Sequence, residues 1–153
     1  MSAETKLQEL GIKLSDAAVP AGLYAPAVQT GSLLYISGQI PTRDGEVLRR
    51  GKCGESVPLE EAAALACVCA INGLAAAKSH LGSLDRITKA VRVGGFVACV
   101  SGFTEAPRVI NGASQLLIDV FGEAGKHACA AVGVAELPAG VPVEVEFIFE
   151  VHE

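Results

Sequence analysis

The sequence predicts a single α+β domain, residues 1–153, in which two helices cover one face of a mixed β-sheet. Three observations support this fold class. The end of the chain alternates apolar and polar residues with a period of two, two internal segments repeat apolar residues with helical spacing, and β-rich segments surround them. The predicted order is strand, strand, strand, helix, strand, helix, strand, strand. A chain of 153 residues fits one compact domain, and we find no linker.

Three strands are predicted before the first helix, after a short polar start. Leu23–Thr30 and Leu33–Ser37 are extended segments, and Gly31 stands in the turn between them. The residues Arg43-Asp44-Gly45 then precede a third segment, Glu46–Arg50. Because Asp-Gly is favoured in tight hairpin turns, we expect a hairpin at this point.

The first helix is predicted from Val57 to His80. Pro58 stands near its first position, and Glu60 and Glu61 lie in the first turn, where the helix dipole favours negative charge. One apolar stripe of this helix consists of Ala62, Leu65, Ala66, Cys69, Gly73, Ala76 and Ala77. The opposite side is also apolar, so we expect this helix to be buried on more than one side.

A β-rich segment, Ile87–Val100, separates the two helices. Gly94-Gly95 inside it predicts a bulge or a bend. The second helix follows Pro107 and ends near Gly122 and Gly125. Its apolar residues keep helical spacing and are Val109, Ile110, Ala113, Leu116, Leu117, Val120 and Phe121.

The stretch from His127 to Glu146 predicts two strands joined by a short connection that contains Pro and Gly. The second strand alternates strictly, which is typical of a half-buried strand. Its apolar face consists of Val141, Val143, Val145, Phe147, Phe149 and Val151. The other face carries three carboxylates, Glu144, Glu146 and Glu150. Either this acidic face is solvated, or the carboxylate nearest the middle of the strand lines a cleft.

Charge and composition narrow the classes of partner. The net charge of −5 argues against a nucleic-acid partner, because phosphate binding needs clustered Lys and Arg. Mean hydropathy is +0.42, and only 19% of the residues are charged. A small domain this apolar is expected to bury surface between subunits. No run approaches the ~18 consecutive apolar residues of a membrane span.

The five cysteines and the N-terminus predict a cytoplasmic protein. An odd number of cysteines without an apolar signal region indicates reduced thiols. Cys67 and Cys69 point to different sides of the first helix, and no second pair follows at zinc spacing, so we expect no metal site.

Three segments resemble the RidA/YjgF family, also called reactive-intermediate deaminases or L-PSP endoribonuclease-like proteins. They are LLYISGQIP (Leu33–Pro41), PRVINGASQLLIDVFGEAG (Pro107–Gly125) and AVGVAELPAGVPVEVE (Ala131–Glu146). The resemblance implies a chorismate-mutase-like fold, assembly as a homotrimer and small-molecule clefts between subunits. It also implies hydrolysis of reactive enamine or imine acids to 2-oxo acids and ammonia, without a cofactor.

The resemblance further implies which residues form the cleft. Tyr24, Ser37 and Asn111 match residues that line it, and Glu144 matches the glutamate that orients or activates water. The family's substrate-binding arginine, however, matches Cys129. A planar guanidinium binds a carboxylate through two charge-assisted hydrogen bonds, and a neutral thiol cannot.

Alternatives remain for each of these residues. Tyr24 fits a core position with a satisfied hydroxyl, Ser37 and Asn111 fit local backbone hydrogen bonding, and Cys129 fits a small filler or, with a lowered pKa, a nucleophile. Three alternatives would compensate for the lost arginine. His127, two residues before Cys129, could supply a positive charge below neutral pH, a Lys or Arg of a neighbouring subunit could reach the cleft, or the natural ligand is not a carboxylate.

Two hypotheses follow for the function. The protein is an imine or enamine hydrolase with an altered substrate, or it is a ligand-binding or regulatory trimer that has lost the reaction. The family's other name raises a third hypothesis, a ribonuclease, which the acidic composition disfavours.

Overall fold

The computed structural model describes residues 2–152 and contains three helices and seven strands in that range. The helices are α1 (Ala3–Glu9), α2 (Leu59–Leu81) and α3 (Ala106–Phe121). The strands are β1 (Ala27–Thr30), β2 (Leu33–Gln39), β3 (Thr42–Arg43), β4 (Glu46–Val47), β5 (Ile87–Ala98), β6 (Ala128–Val134) and β7 (Val143–Val151).

Five of these strands form one mixed sheet in the order β1-β2-β7-β5-β6. The β5–β6 pair is parallel and the other pairs are antiparallel. Helix α2 packs against β2 and β7, and α3 packs against β5 and β6. The predicted α+β class, with two helices against a mixed sheet, is therefore confirmed.

Strand β7 occupies the centre of the sheet and alternates as predicted. Val143, Val145, Phe147, Phe149 and Val151 are all at most 2% exposed, whereas the residues between them are only partly buried or exposed. The rings of Phe147 and Phe149 stack with centroids 5.9 Å apart and planes 3° apart. We call the side of the sheet that carries these rings the helix face, and the side that carries Glu144, Glu146 and Ile148 the open face.

Helix α2 begins and ends close to the predicted bounds. Pro58 is its N-cap residue, and Gly82, with φ of 85°, ends it. Every residue of the predicted apolar stripe is buried. By length and composition α2 could span a membrane, but 61% of its most apolar window is buried inside the domain, and buried core helices meet the same criterion.

The prediction of a bulge at Gly94-Gly95 is wrong. The pairing of β5 with β7 shifts register between Ile87 and Lys89 and between Ala90 and Arg92, not at the two glycines. Gly95 serves close packing instead, since a Cβ atom there would lie 2.3 Å from Cγ1 of Ile110 in α3. The missing side chain lets α3 approach the sheet.

Two further features differ from, or refine, the sequence predictions. Helix α1 was not predicted, because its seven residues bury only Ala3 and Leu7 and show too little periodicity. The first strand begins at Ala27 rather than Leu23. The hairpin is confirmed, and Asp44 and Gly45 both have positive φ, 52° and 80°, as a two-residue hairpin turn with matching twist requires.

Candidate functional site

A cavity of about 580 Å³ opens where β2 ends and β7 begins. Its walls are the segment 15–21, the end of β2, the β3–β4 hairpin and one side chain of α2. Polar side chains on these walls come from Ser15, Asp16, Tyr24, Gln39, Thr42, Asp44, Asn72 and Glu144. Volumes of 300–1,000 Å³ are typical of small-molecule sites.

Glu144 enters this cavity because of an irregularity in β2. Ile36 pairs with Phe147 and Gln39 pairs with Val145, so β2 has one extra residue between these pairs. Gly38 lies in this bulge, and a Cβ atom there would lie 2.6 Å from Oε2 of Glu144. The carboxylate therefore rests against the backbone of Gly38, where any side chain would displace it.

The environment of Glu144 raises the pKa of its carboxyl group. Burial raises the pKa of this carboxyl above its ordinary value of 4.5, and the negative charge of Glu146 raises it further. The nearby cation Arg92 pairs with Glu146 instead, through an Nη1–Oε2 contact of 3.3 Å. Within residues 2–152, Glu144 forms no ion pair. A carboxyl whose pKa is raised by burial in a cavity is a candidate for general acid–base chemistry.

Two buried amide side chains line the cavity, and sequence reasoning missed both. Asn72 is 7% exposed, and its Nδ2 donates to the carbonyl oxygens of Ile40 and Thr42 at 3.1 and 3.0 Å. Gln39 is 8% exposed, and its Nε2 donates to the carbonyl oxygen of Ser37 at 3.0 Å. Because carbonyl oxygens only accept, these contacts fix which amide atom is nitrogen. One feature of the sequence could have identified Asn72, because it is a polar residue inside an otherwise apolar helix.

Of the predicted residues Tyr24 and Ser37, only Tyr24 lines the cavity. Tyr24 lines the cavity and is half exposed. Ser37 does not line it, and its Oγ donates to the carbonyl oxygen of Ala25 at 2.6 Å. This contact matches the local backbone role considered for Ser37. It ties the end of β2 to the segment that carries Tyr24.

The other three predicted site residues do not line this cavity. Asn111 is exposed on α3. His127 is held towards α3, with Nδ1 2.6 Å from the carbonyl oxygen of Gly125 and Nε2 2.8 Å from Oγ of Ser114. Because a carbonyl oxygen only accepts, Nδ1 of His127 carries a proton. Both ring nitrogens therefore have hydrogen-bond partners outside the cavity.

Cys129 is exposed on β6, the edge strand of the sheet. Glu144 pairs with Phe96, which pairs with Val132, so Cys129 lies two strands across and three residues along from Glu144. These spacings separate the two Cα atoms by about 14 Å. Partial burial raises the pKa of the Cys129 thiol, and the charge of Arg92 opposes the shift only in part. A raised pKa is the opposite of what a nucleophilic thiolate needs.

The chain matches known proteins over nearly its whole length. The family model described as "YjgF/chorismate mutase-like, putative endoribonuclease" matches residues 4–143. Protein TCP17 of Trypanosoma cruzi is 44% identical over 147 residues, 95% of this chain and 92% of that protein.

Two crystal structures share the fold closely. Atu1372 from Agrobacterium tumefaciens, a protein of unknown function, is 43% identical with a TM-score of 0.90, covering 99% of this chain and 94% of that one. A protein from Shewanella oneidensis is 30% identical with a TM-score of 0.95, covering 99% and 100%.

Proposed function

Because the chain belongs to the YjgF/chorismate-mutase-like family, we propose that it binds a small molecule beside Glu144 and hydrolyses a reactive imine or enamine there to a carbonyl compound and ammonia. The observation that carries this proposal is the Glu144 carboxyl, which lies in a cavity of substrate size and has a raised pKa. The substrate brings its own electrophilic carbon, so the reaction requires only water and a group that transfers protons.

The reaction balances with Glu144 as the only proton carrier. The carboxylate takes a proton from water as the water oxygen bonds to the C=N carbon, and the C=N electron pair moves to nitrogen. The carboxyl then returns this proton to the nitrogen. The regenerated carboxylate next takes the hydroxyl proton and passes it to the nitrogen as the C–N bond breaks, so that the carbonyl forms and ammonia leaves. Acid–base catalysis of this kind contributes roughly 10²–10⁴-fold.

Assembly as a homotrimer with clefts between subunits is part of the proposal. The open face and its edges expose large apolar side chains, with Val28 at 55%, Tyr35 at 43% and Val132 at 48%. Exposed apolar surface of this kind favours contact with another subunit. A neighbouring β6 edge could then bring a second Cys129 to the cavity that this protomer's own Cys129 does not reach.

A non-catalytic, ligand-binding trimer is the second candidate. The observation that favours it is Cys129, a neutral thiol where the family's substrate-binding arginine is expected. A ribonuclease is disfavoured, because the carboxylates of Asp16, Asp44 and Glu144 on the cavity walls would repel a phosphate backbone.

The test is a hydrolysis assay with imines generated in situ by an amino-acid oxidase and by an amine oxidase. Wild type is compared with Glu144→Gln, Gly38→Ala and Cys129→Arg, and Glu150→Gln serves as the matched control on the same strand. We expect Glu144→Gln to lower the rate about 10²-fold or more. Gly38→Ala should also lower it, because the added Cβ displaces the carboxylate, whereas Glu150→Gln should not.

The result of this assay distinguishes the hydrolase from the non-catalytic ligand-binding trimer. If wild type accelerates no imine, the hydrolase proposal fails. If only Cys129→Arg is active on 2-imino acids, the natural protein is a binder that has lost the reaction.

A further inference from the structure

Resting on the proposed function, we propose that the cavity selects a cationic substrate without a carboxylate: a small aliphatic iminium ion, of the kind that oxidation of a simple amine produces. The walls that lead to this inference carry three carboxylates, two amide side chains and the hydroxyls of Ser15, Tyr24 and Thr42, and their remaining side chains are apolar. A 2-imino acid would bring a negative charge to the same place.

The charges on the walls all have one sign. Asp16, Asp44 and Glu144 line the cavity, and no Lys, Arg or His among residues 2–152 does. The cation on the adjoining open face, Arg92, is paired with Glu146. A cation is attracted by such walls, whereas a carboxylate is repelled and meets no cationic side chain among the described residues of the lining.

The buried amides supply an independent observation. The Nδ2 of Asn72 donates to two backbone carbonyls and the Nε2 of Gln39 to one, and the oxygens Oδ1 and Oε1 accept no hydrogen bond from residues 2–152. Every fully buried side-chain oxygen or nitrogen in that range has a hydrogen-bond partner. Because Oε1 and Oδ1 have no partner, these two oxygens are not fully buried and are in contact with open space. Since each side chain is more than nine-tenths buried and lines the cavity, that space is the cavity.

Acceptor oxygens of this kind match the donors of an iminium group. The group C=NH₂⁺ has two N–H donors and no acceptor, so it can be held by amide oxygens and a carboxylate at once. Val19, Pro20, Ile40 and Val47 complete the walls, and they suit a short hydrocarbon chain. Hydrolysis then converts R₂C=NH₂⁺ and water to R₂C=O and NH₄⁺, with no other reactant.

Binding is measured first, with stable probes that do not react. Calorimetric titration at pH 7 compares butylammonium, butanoate and zwitterionic 2-aminobutanoate, which share a short chain. We expect butylammonium to bind at least tenfold more tightly than either carboxylate. Asp44→Asn and Glu144→Gln should each weaken butylammonium binding, and Glu150→Gln should leave it unchanged. Butanoate binding as tightly as butylammonium, or no binding of any probe, would overturn the inference.

Turnover is measured second and separates this inference from the proposed function. We expect the butylamine-derived imine to be hydrolysed at least tenfold faster than 2-iminobutanoate. If butylammonium binds selectively and neither imine is hydrolysed faster than in buffer, the inference holds and the hydrolase proposal fails. If 2-iminobutanoate is hydrolysed as fast as the amine-derived imine, the hydrolase proposal holds and the inference fails.

Discussion

The two faces of the central sheet are built from the same strands, but their side chains differ in how completely they are buried. On the helix face, Phe147 and Phe149 are at most 2% exposed and packed beneath α2 and α3. On the open face, Glu144, Glu146 and Ile148 alternate with them yet remain partly exposed. The helix face is determined by burial, whereas the open face carries the candidate chemistry and the surface available for assembly.

The largest difference in the free energy of unfolding is expected between substitutions at two neighbouring residues of β7, one on each face of the sheet. Phe147→Ala removes a buried ring that stacks on Phe149, and it should lower the free energy of unfolding by about 3–5 kcal/mol. Ile148→Ala, on the open face, should cost about 1 kcal/mol or less. Urea denaturation of both variants measures the difference. Equal losses would mean that another surface covers Ile148 as completely as the helices cover Phe147.

A second contrast uses the adjacent glycines of β5. Gly95→Ala forces a methyl group against Ile110 of α3 and should cost about 1–3 kcal/mol. At Gly94 the added methyl meets the flexible ends of Arg92 and Glu146 on the open face, so Gly94→Ala should cost less. Thermal unfolding of the two variants tests this order. A larger loss at Gly94 would show that the open face is the more tightly packed of the two.

The third contrast concerns pH and Glu144. A carboxyl whose pKa is raised in the folded protein leaves stability intact below its ordinary value of 4.5, and stability falls as the pH rises through the folded value. The Glu144→Gln substitution removes the titrating carboxyl group, and with it this loss of stability at higher pH. Its free energy of unfolding should exceed that of wild type at pH 7 and converge with it near pH 4.

The matched control for this pH comparison is Glu150→Gln, at an exposed position of the same strand. It should show no comparable divergence between pH 4 and pH 7. If Glu144→Gln is no more stable than wild type at pH 7, a cation from another subunit neutralises this carboxylate in solution.

The smallest effect on folding is expected at the edge of the sheet. Val132 is 48% exposed on β6, so Val132→Lys should change the free energy of unfolding of a protomer by only about 0.5 kcal/mol. It should nevertheless lower the mass measured by light scattering, because a buried lysine would oppose the proposed trimer contact. A monomeric wild type would refute the trimer and its clefts.

The sequence alone predicted the features that depend on local periodicity and turn chemistry. Alternation placed Phe147 on the helix face, helical spacing placed Leu65 and Ile110 in the core, and Asp44-Gly45 marked the hairpin. The motifs also identified the family and located the change at Cys129. These signals lie within a few residues of one another, so no knowledge of distant contacts was needed.

The alternation of β7 does not show which of its three carboxylates enters a cavity; the family resemblance pointed to Glu144, and the tertiary structure shows why it is this one. The spacing of Glu144, Glu146 and Glu150 does not distinguish them. The extra residue of β2 beside Gly38 and the pairing of Arg92 with Glu146 do. Gln39 and Asn72 likewise line the same cavity as Glu144 only after distant segments fold together. The cavity lies between elements that are far apart in the sequence. Local periodicity does not show which of these elements come together in the fold.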